Sequence, residues 1–275
     1  MRSPKEISID SKIIETLEDF HFSEKKAMKI AKLVIEDNEI QAIQEYGNVV
    51  SIKRLGYNDH GPVHMRTVAL NALIMLKILR DANVKMSLEC EEAGTFEDSL
   101  IAVMLASFLH DIGMSLGRQD HEMHSAYIAF SILDRILAEG LADSPHDMQR
   151  RVTIRSLALE GIAGHMGNRA VYSLEAGIVL IADGCDMTKG RARIPMSLAG
   201  APKVGDIHRY SANSIEDVRI LKGAEHPIRI EVEMSSEVGL FQIEEVLLSK
   251  ISASTAKGYV ELYALVQGEQ PKRYL

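Results

Sequence analysis

Residues 106–124 read ASFLHDIGMSLGRQDHEMH, an apolar run that ends on His110-Asp111 and returns to histidine at His121 and His124. The run reaches back to Leu100, about half of what a membrane span needs, and reads as a buried helix. Such a helix end must compensate an imidazole and a carboxylate, by hydrogen bonds at the terminus or by a metal ion. A second pair, His146-Asp147, is a useful control. No apolar run precedes it, and it reads as a turn and helix start in which Asp147 satisfies free backbone amides. The dipeptide alone therefore says little, and its setting decides.

Other residues share the setting of His110-Asp111. His64 lies near the start of an apolar helix in YNDHGPVHMRTV, His165 ends the helix EGIAGH, and Asp183 closes the run GIVLIAD. His121 and His124 are three apart, on one face of a helix. In a helical domain such side chains converge on the bundle interior. Leaving them uncompensated there costs several kcal/mol each, and a divalent cation supplies the compensation. Imidazole with carboxylate suits Mn, Fe, Ni, Co or Zn better than Ca, and six ligands with one shared carboxylate imply two ions. His21, His146, His208 and His226 lack this setting and read as ordinary structural residues.

The rest of the chain fits a mainly α protein. From Ile13 to about Ala182 the apolar spacing is helical; in SEKKAMKIAKLVIEDNEIQAI, for example, Ala27, Ile30, Ala31, Val34 and Ile35 stack on one face behind Ser23 as the expected cap. After Pro195 the texture changes. SIEDVRILKG and PIRIEVEMSS alternate like half-buried strands, LFQIEEVLLSKIS is an amphipathic helix, and GYVELYALVQG is a last strand. The expectation is a helical metal-binding domain over 1–200 and a small β-β-α-β domain over 205–275. Met234, Leu240 and Phe241 are apolar candidates for a homodimer surface, or else pack within that small domain.

At 275 residues with 46% hydrophobic and 25% charged side chains, the composition excludes a disordered chain. A net charge of −8 argues against a broad nucleic-acid surface, and two cysteines argue against a disulfide framework. With no apolar leader and no apolar stretch of membrane length, a cytoplasmic protein without membrane contact is expected.

The ordered series His64, His110-Asp111, a following helical His, His165 and Asp183 resembles the HD superfamily of metal-dependent phosphohydrolases over roughly residues 50–195. RLGYNDHGPVH and IADGCDMTKGRARIP further resemble an archaeal branch with a similar C-terminal extension. The resemblance implies an HD-type helical bundle in which His64, His110, Asp111 and Asp183 hold one metal. Asp111 then bridges to a second ion held by His121 and His165. His121 precedes Ser125-Ala126 as in the family pattern, whereas His124 would face substrate; the sequence leaves the pair open.

Two divalent ions per chain are expected (Mn, Fe, Ni, Co or Mg, with Zn also compatible), acting through a metal-activated hydroxide on a small phosphorylated substrate. In MTKGRAR, Lys189, Arg191 and Arg193 are candidate phosphate contacts, with Lys189 and Arg193 stabilising developing charge. His60 is a candidate proton donor alongside Asp111 in the chemistry, and Asp186 a candidate partner orienting a ligand imidazole. The leading function is cleavage of a small phosphate ester or phosphodiester derived from a nucleotide. Its rivals are an HD-fold di-iron oxygenase and a nucleotide-binding regulator without turnover.

Overall fold

The computed structural model describes residues 2–141, 147–187 and 207–275, the side chains of 207–210 aside. Helix α1 (Pro4–Glu18) begins well before Ile13, because Ser3 accepts from the Glu6 amide and Pro4 occupies the first turn. Helix α2 (Lys26–Glu36) is not capped by Ser23. Lys25 precedes it in the left-handed region (φ 52°), and the buried Glu97 carboxylate accepts from the Ala27 amide at 3.0 Å. The cap is thus supplied from a distant helix, which no local pattern announces. Helix α3 (Asn38–Val49), capped by Asp37, runs into a π-helical segment over Val50–Arg54.

Five further helices, α4 (Pro62–Asp81), α5 (Ser87–Cys90), α6 (Phe96–Leu109), α7 (His121–Gly140) and α8 (Asp147–Gly164), lead to α9 (Leu174–Gly184). Helix α6 is the centre of the bundle: it packs on α2, α4, α8 and α9, and every residue from Glu97 to Leu109 is buried. That explains its uniform apolarity, since a helix covered on all sides needs no polar stripe. Averaged over their length, α4 and the stretch Phe96–Ser115 are apolar enough for a membrane span, contrary to the expectation that no segment reaches that length. Both are instead buried by other helices of the bundle.

The C-terminal part opens with α10 (Ile207–Ser214). Strand β1 (Ile215–Lys222) follows and pairs antiparallel with β2 (Ile228–Met234). The chain then crosses through α11 (Leu240–Gln242), a π segment (Ile243–Leu247) and α12 (Leu248–Ala253). It returns as β3 (Val260–Val266), parallel to β2 with Ile230 opposite Leu262. A parallel partner requires such a crossover, so the expected β-β-α-β order holds. A two-residue strand β4 (Lys272–Arg273) adds antiparallel to β3. Met234 is fully buried in the core.

The crossover positions the site described next. Leu247 and Ile251 join the same core cluster as Ile181 and Ala182 of α9, each burial contributing about 1.5–3 kcal/mol. Gly177 marks the closest approach, since a Cβ there would lie 2.2 Å from Thr255 Oγ1 and 2.7 Å from Ser254 Oγ. The boundary expected at residues 200–205 lies outside the described residues.

Candidate metal centre

Helix ends deliver the polar side chains, as the carbonyls there are free. The last carbonyls of an α-helix have no intrahelical amide partner. His110, just past α6, places Nδ1 2.8 Å from the Ser107 carbonyl, and His165, just past α8, places Nδ1 2.7 Å from that of Ile162. At the start of α7, His121 Nδ1 lies 2.9 Å from the Arg118 carbonyl. On α4, His64 Nδ1 lies 2.6 Å from Asp186 Oδ2, two residues beyond α9. A carbonyl only accepts, so in the neutral form of each of the first three rings Nδ1 carries the proton and Nε2 a lone pair. The Asp186 carboxylate imposes the same tautomer on His64.

These Nε2 atoms converge in pairs. His64 and His110 approach to 3.1 Å, and His121 and His165 to 3.2 Å. Asp111 lies between the pairs. Its Oδ2 is 3.3 Å from His64 Nε2 and 3.4 Å from His110 Nε2, while Oδ1 is 3.1 Å from His121 Nε2 and 3.3 Å from His165 Nε2. Asp183 Oδ1 joins the first pair, 3.2 Å from His64 Nε2 and 3.7 Å from His110 Nε2. All six residues are buried. Asp111 Oδ1 is inaccessible and has no hydrogen-bond partner.

Lone pairs facing one another and an orphaned carboxylate oxygen are unfavourable by themselves, by about 1–3 kcal/mol for each unsatisfied group. A divalent cation with a taste for imidazole and carboxylate resolves them together, so the residues present fit such an ion. Two groups have ligand atoms all within 4.8 Å of one another: His64, His110 and Asp183, and His110, Asp111 and His165.

Electrostatics follow the geometry. Burial works against the Asp111 carboxylate, but the imidazoles of His110, His60 and His121 outweigh it and hold its pKa well below the usual range. Asp183 is likewise held low against its burial, chiefly by the Lys250 ammonium and then by His110 and His64. Burial pushes His165 down to about 4, opposed by Asp111, so its ring is neutral at physiological pH. Burial also opposes the charge on His110, but Asp111 and Asp183 prevail and raise it.

Two features separate His121 from His124. The Gly113 amide donates to Ser125 Oγ at 2.8 Å, and a Cβ on Gly113 would lie 2.1 Å from the His121 carbonyl. The turn after Asp111 can therefore press against the first turn of α7 and bring His121 Nε2 to the centre. His124 is half-buried, its Nδ1 has no hydrogen-bond partner, and it does not line the cavity above the centre.

That cavity, of about 720 Å³, exposes Asp111, His165 and Asp183 at its floor. His60 lines it, with Nδ1 2.6 Å from the Asn58 carbonyl. Lys189, Arg191 and Arg193 lie outside the described residues. Sequence reasoning missed Lys250 of α12, which lines the cavity, pairs with Asp183 and donates to the His165 carbonyl at 2.9 Å. It also missed Arg118 on the opposite, helical part of the chain.

Comparison with known proteins agrees with this geometry. A model of the HD domain matches residues 63–188, the span from His64 to just beyond Asp186. The chain belongs to the HD-domain superfamily. It is also 41% identical over 258 residues to a Methanocaldococcus jannaschii protein named "Uncharacterized protein MJ1020", covering 92% of this chain and 96% of that one. No solved structure matches the chain significantly. The HD fold and its two His/Asp clusters give the chain the equipment of a metal-dependent hydrolase in general.

Proposed function

We propose that this HD-domain protein is a metal-dependent phosphohydrolase that cleaves a small phosphate ester or phosphodiester, derived from a nucleotide. One observation carries the reading: Asp111 presents its two oxygens to two separate histidine pairs, 3.1–3.4 Å away, with the remaining nitrogen of every ring anchored. In this reading His64, His110, Asp111 and Asp183 hold one divalent ion, and Asp111, His121 and His165 hold a second. Bound there, such ions supply Lewis acidity, polarising phosphoryl oxygens and acidifying water near neutral pH.

The chain's own groups would do the rest. The anchored Nδ1 atoms keep the rings from rotating, so that ligand geometry is not lost when substrate arrives. His60, whose Nδ1 lies 2.6 Å from the Asn58 carbonyl, would pass a proton to the leaving oxygen from its protonated form. The cavity volume suits a nucleotide-sized molecule. We assign the chain two parts, a helical metal-binding domain over 1–200 and an α+β domain over 205–275. The second roofs the site with α12.

The test is a phosphate-ester screen of the full chain loaded with Mn, Co, Ni, Mg, Fe or Zn. It would span p-nitrophenyl phosphate, bis-p-nitrophenyl phosphate and nucleoside mono-, di- and triphosphates. Metal-dependent turnover that disappears in His110→Ala is the expected result. Full metal loading without turnover of any ester, or oxygen uptake confined to the iron-loaded protein, would contradict it.

A further inference from the structure

Arg118 is a cation without an anion. Its side chain is half-buried and lines the cavity that opens on Asp111 and His165. A guanidinium remains protonated at any physiological pH and carries five N–H donors in a planar fork. Among the described residues Arg118 has no carboxylate partner. Its Nη1 lies 3.4 Å from His121 Nε2, its Nη2 lies 3.8 Å from Met166 Sδ, and its Cζ stands 5.7 Å from the centre of the Tyr57 ring. An imidazole lone pair at that distance and a thioether sulfur are weak acceptors for a charge-bearing fork.

Other buried arginines here are treated differently. Arg66 donates to Asp10 at 2.9 Å, which takes its charge, and to Gln44, Gln41 and the Pro62 carbonyl. Lys250, the other strong cation on the cavity wall among the described residues, has its charge committed to Asp183. Arg118 therefore supplies the positive charge that an incoming anion can claim without breaking an ion pair. Its place beside His121 puts that charge at the edge of the metal centre. The Tyr57 ring supports the guanidinium from the cavity side.

We propose that Arg118 is the residue that binds the phosphate anion of the substrate, its fork taking non-bridging oxygens while Tyr57 holds the guanidinium in place. This rests on the phosphohydrolase reading above and extends it to a named specificity-determining residue. On this assignment the anion enters between the start of α7 and the α12 roof, over Asp111.

The test is titration calorimetry of inorganic phosphate into the Mn-loaded full chain, comparing the wild type with Arg118→Met and Arg118→Lys. Metal content and melting temperature are measured on the same samples. We expect phosphate affinity to fall about ten- to hundredfold in Arg118→Met and less in Arg118→Lys, with Mn content unchanged. Arg118→Gln repeats the comparison if the methionine variant does not fold. Unchanged affinity in the variants would overturn the assignment. So would a loss of affinity matched by a loss of Mn, which would make Arg118 a support for His121 instead. A Mn-loaded wild type that binds no phosphate would overturn the phosphohydrolase reading, and this inference with it.

Discussion

His64 Nδ1 and Asp186 Oδ2 lie 2.6 Å apart, joining the start of α4 to the chain just beyond α9. The carboxylate sets the tautomer and orientation of a ring whose Nε2 faces Asp111 and Asp183. Asp186→Asn leaves hydrogen bonding possible but lets the amide offer a donor, which favours the wrong tautomer. We expect Mn affinity to drop about 10–100-fold with the fold retained, measured by equilibrium dialysis and circular dichroism. Equal Mn affinity would show that Asp186 does not orient His64.

Lys250 neutralises Asp183 from the C-terminal part of the chain, and both side chains are about nine-tenths buried. Removing one partner of a buried pair strands the other charge, at a cost of about 3–5 kcal/mol. Lys250→Met should therefore lower the metal-free stability by an amount of that order in urea melts. A divalent ion beside Asp183 would offset part of the loss, so the gap between variant and wild type should narrow on adding Mn. A gap of the same size with and without Mn would argue that the ion does not sit at Asp183.

Gly177 admits α12's following turn to within contact of α9. In Gly177→Ala the added Cβ would meet Ser254 and Thr255 hydroxyls that are themselves hydrogen-bonded to the Gly177 and Ser173 carbonyls. We expect destabilisation of about 1–3 kcal/mol and faster amide exchange across α12 than across α6. Uniform exchange would mean that the roof and the bundle open together.

A different carboxylate sets the acid limit of the small sheet. Glu261 is fully buried and accepts from the amides of Ala224, Glu225 and His226 at 3.2, 2.9 and 3.1 Å. Burial raises its pKa, but those three donors and Arg229 outweigh it and the pKa is lowered. A lowered carboxylate pKa stabilises the fold above the unfolded value of about 4.3, and that contribution is lost as pH falls through the folded value. Melting temperature should thus decline below about pH 4.5, and Glu261→Gln should flatten that decline while lowering stability at pH 7. A variant with the wild-type acid profile would contradict this.

The helical bundle and the meeting of its helix-end histidines were legible in the sequence for a physical reason. His110 and His165 stand where helices run out of amides, and the free carbonyls of Ser107 and Ile162 orient them, so a histidine ending an apolar run was a readable sign. The spacing to Ser125-Ala126 already pointed to His121 over His124, and the contact of Gly113 with α7, which spacing alone does not encode, adds to it. Arg118 and Lys250 carry no local signature, because their significance lies in a cavity formed by segments far apart in the chain. The same holds for the Glu97 cap of α2.

The central claim is that Asp111 joins two metal sites, and metal content per chain tests it most directly. Elemental analysis of protein purified without chelators and then offered Mn, Fe, Co or Ni should find about two equivalents. In Asp111→Ala, which removes the carboxylate that lies between the two histidine pairs, neither ion should be held firmly. A wild type that takes up no divalent ion, or an Asp111→Ala variant that keeps both, would contradict the account.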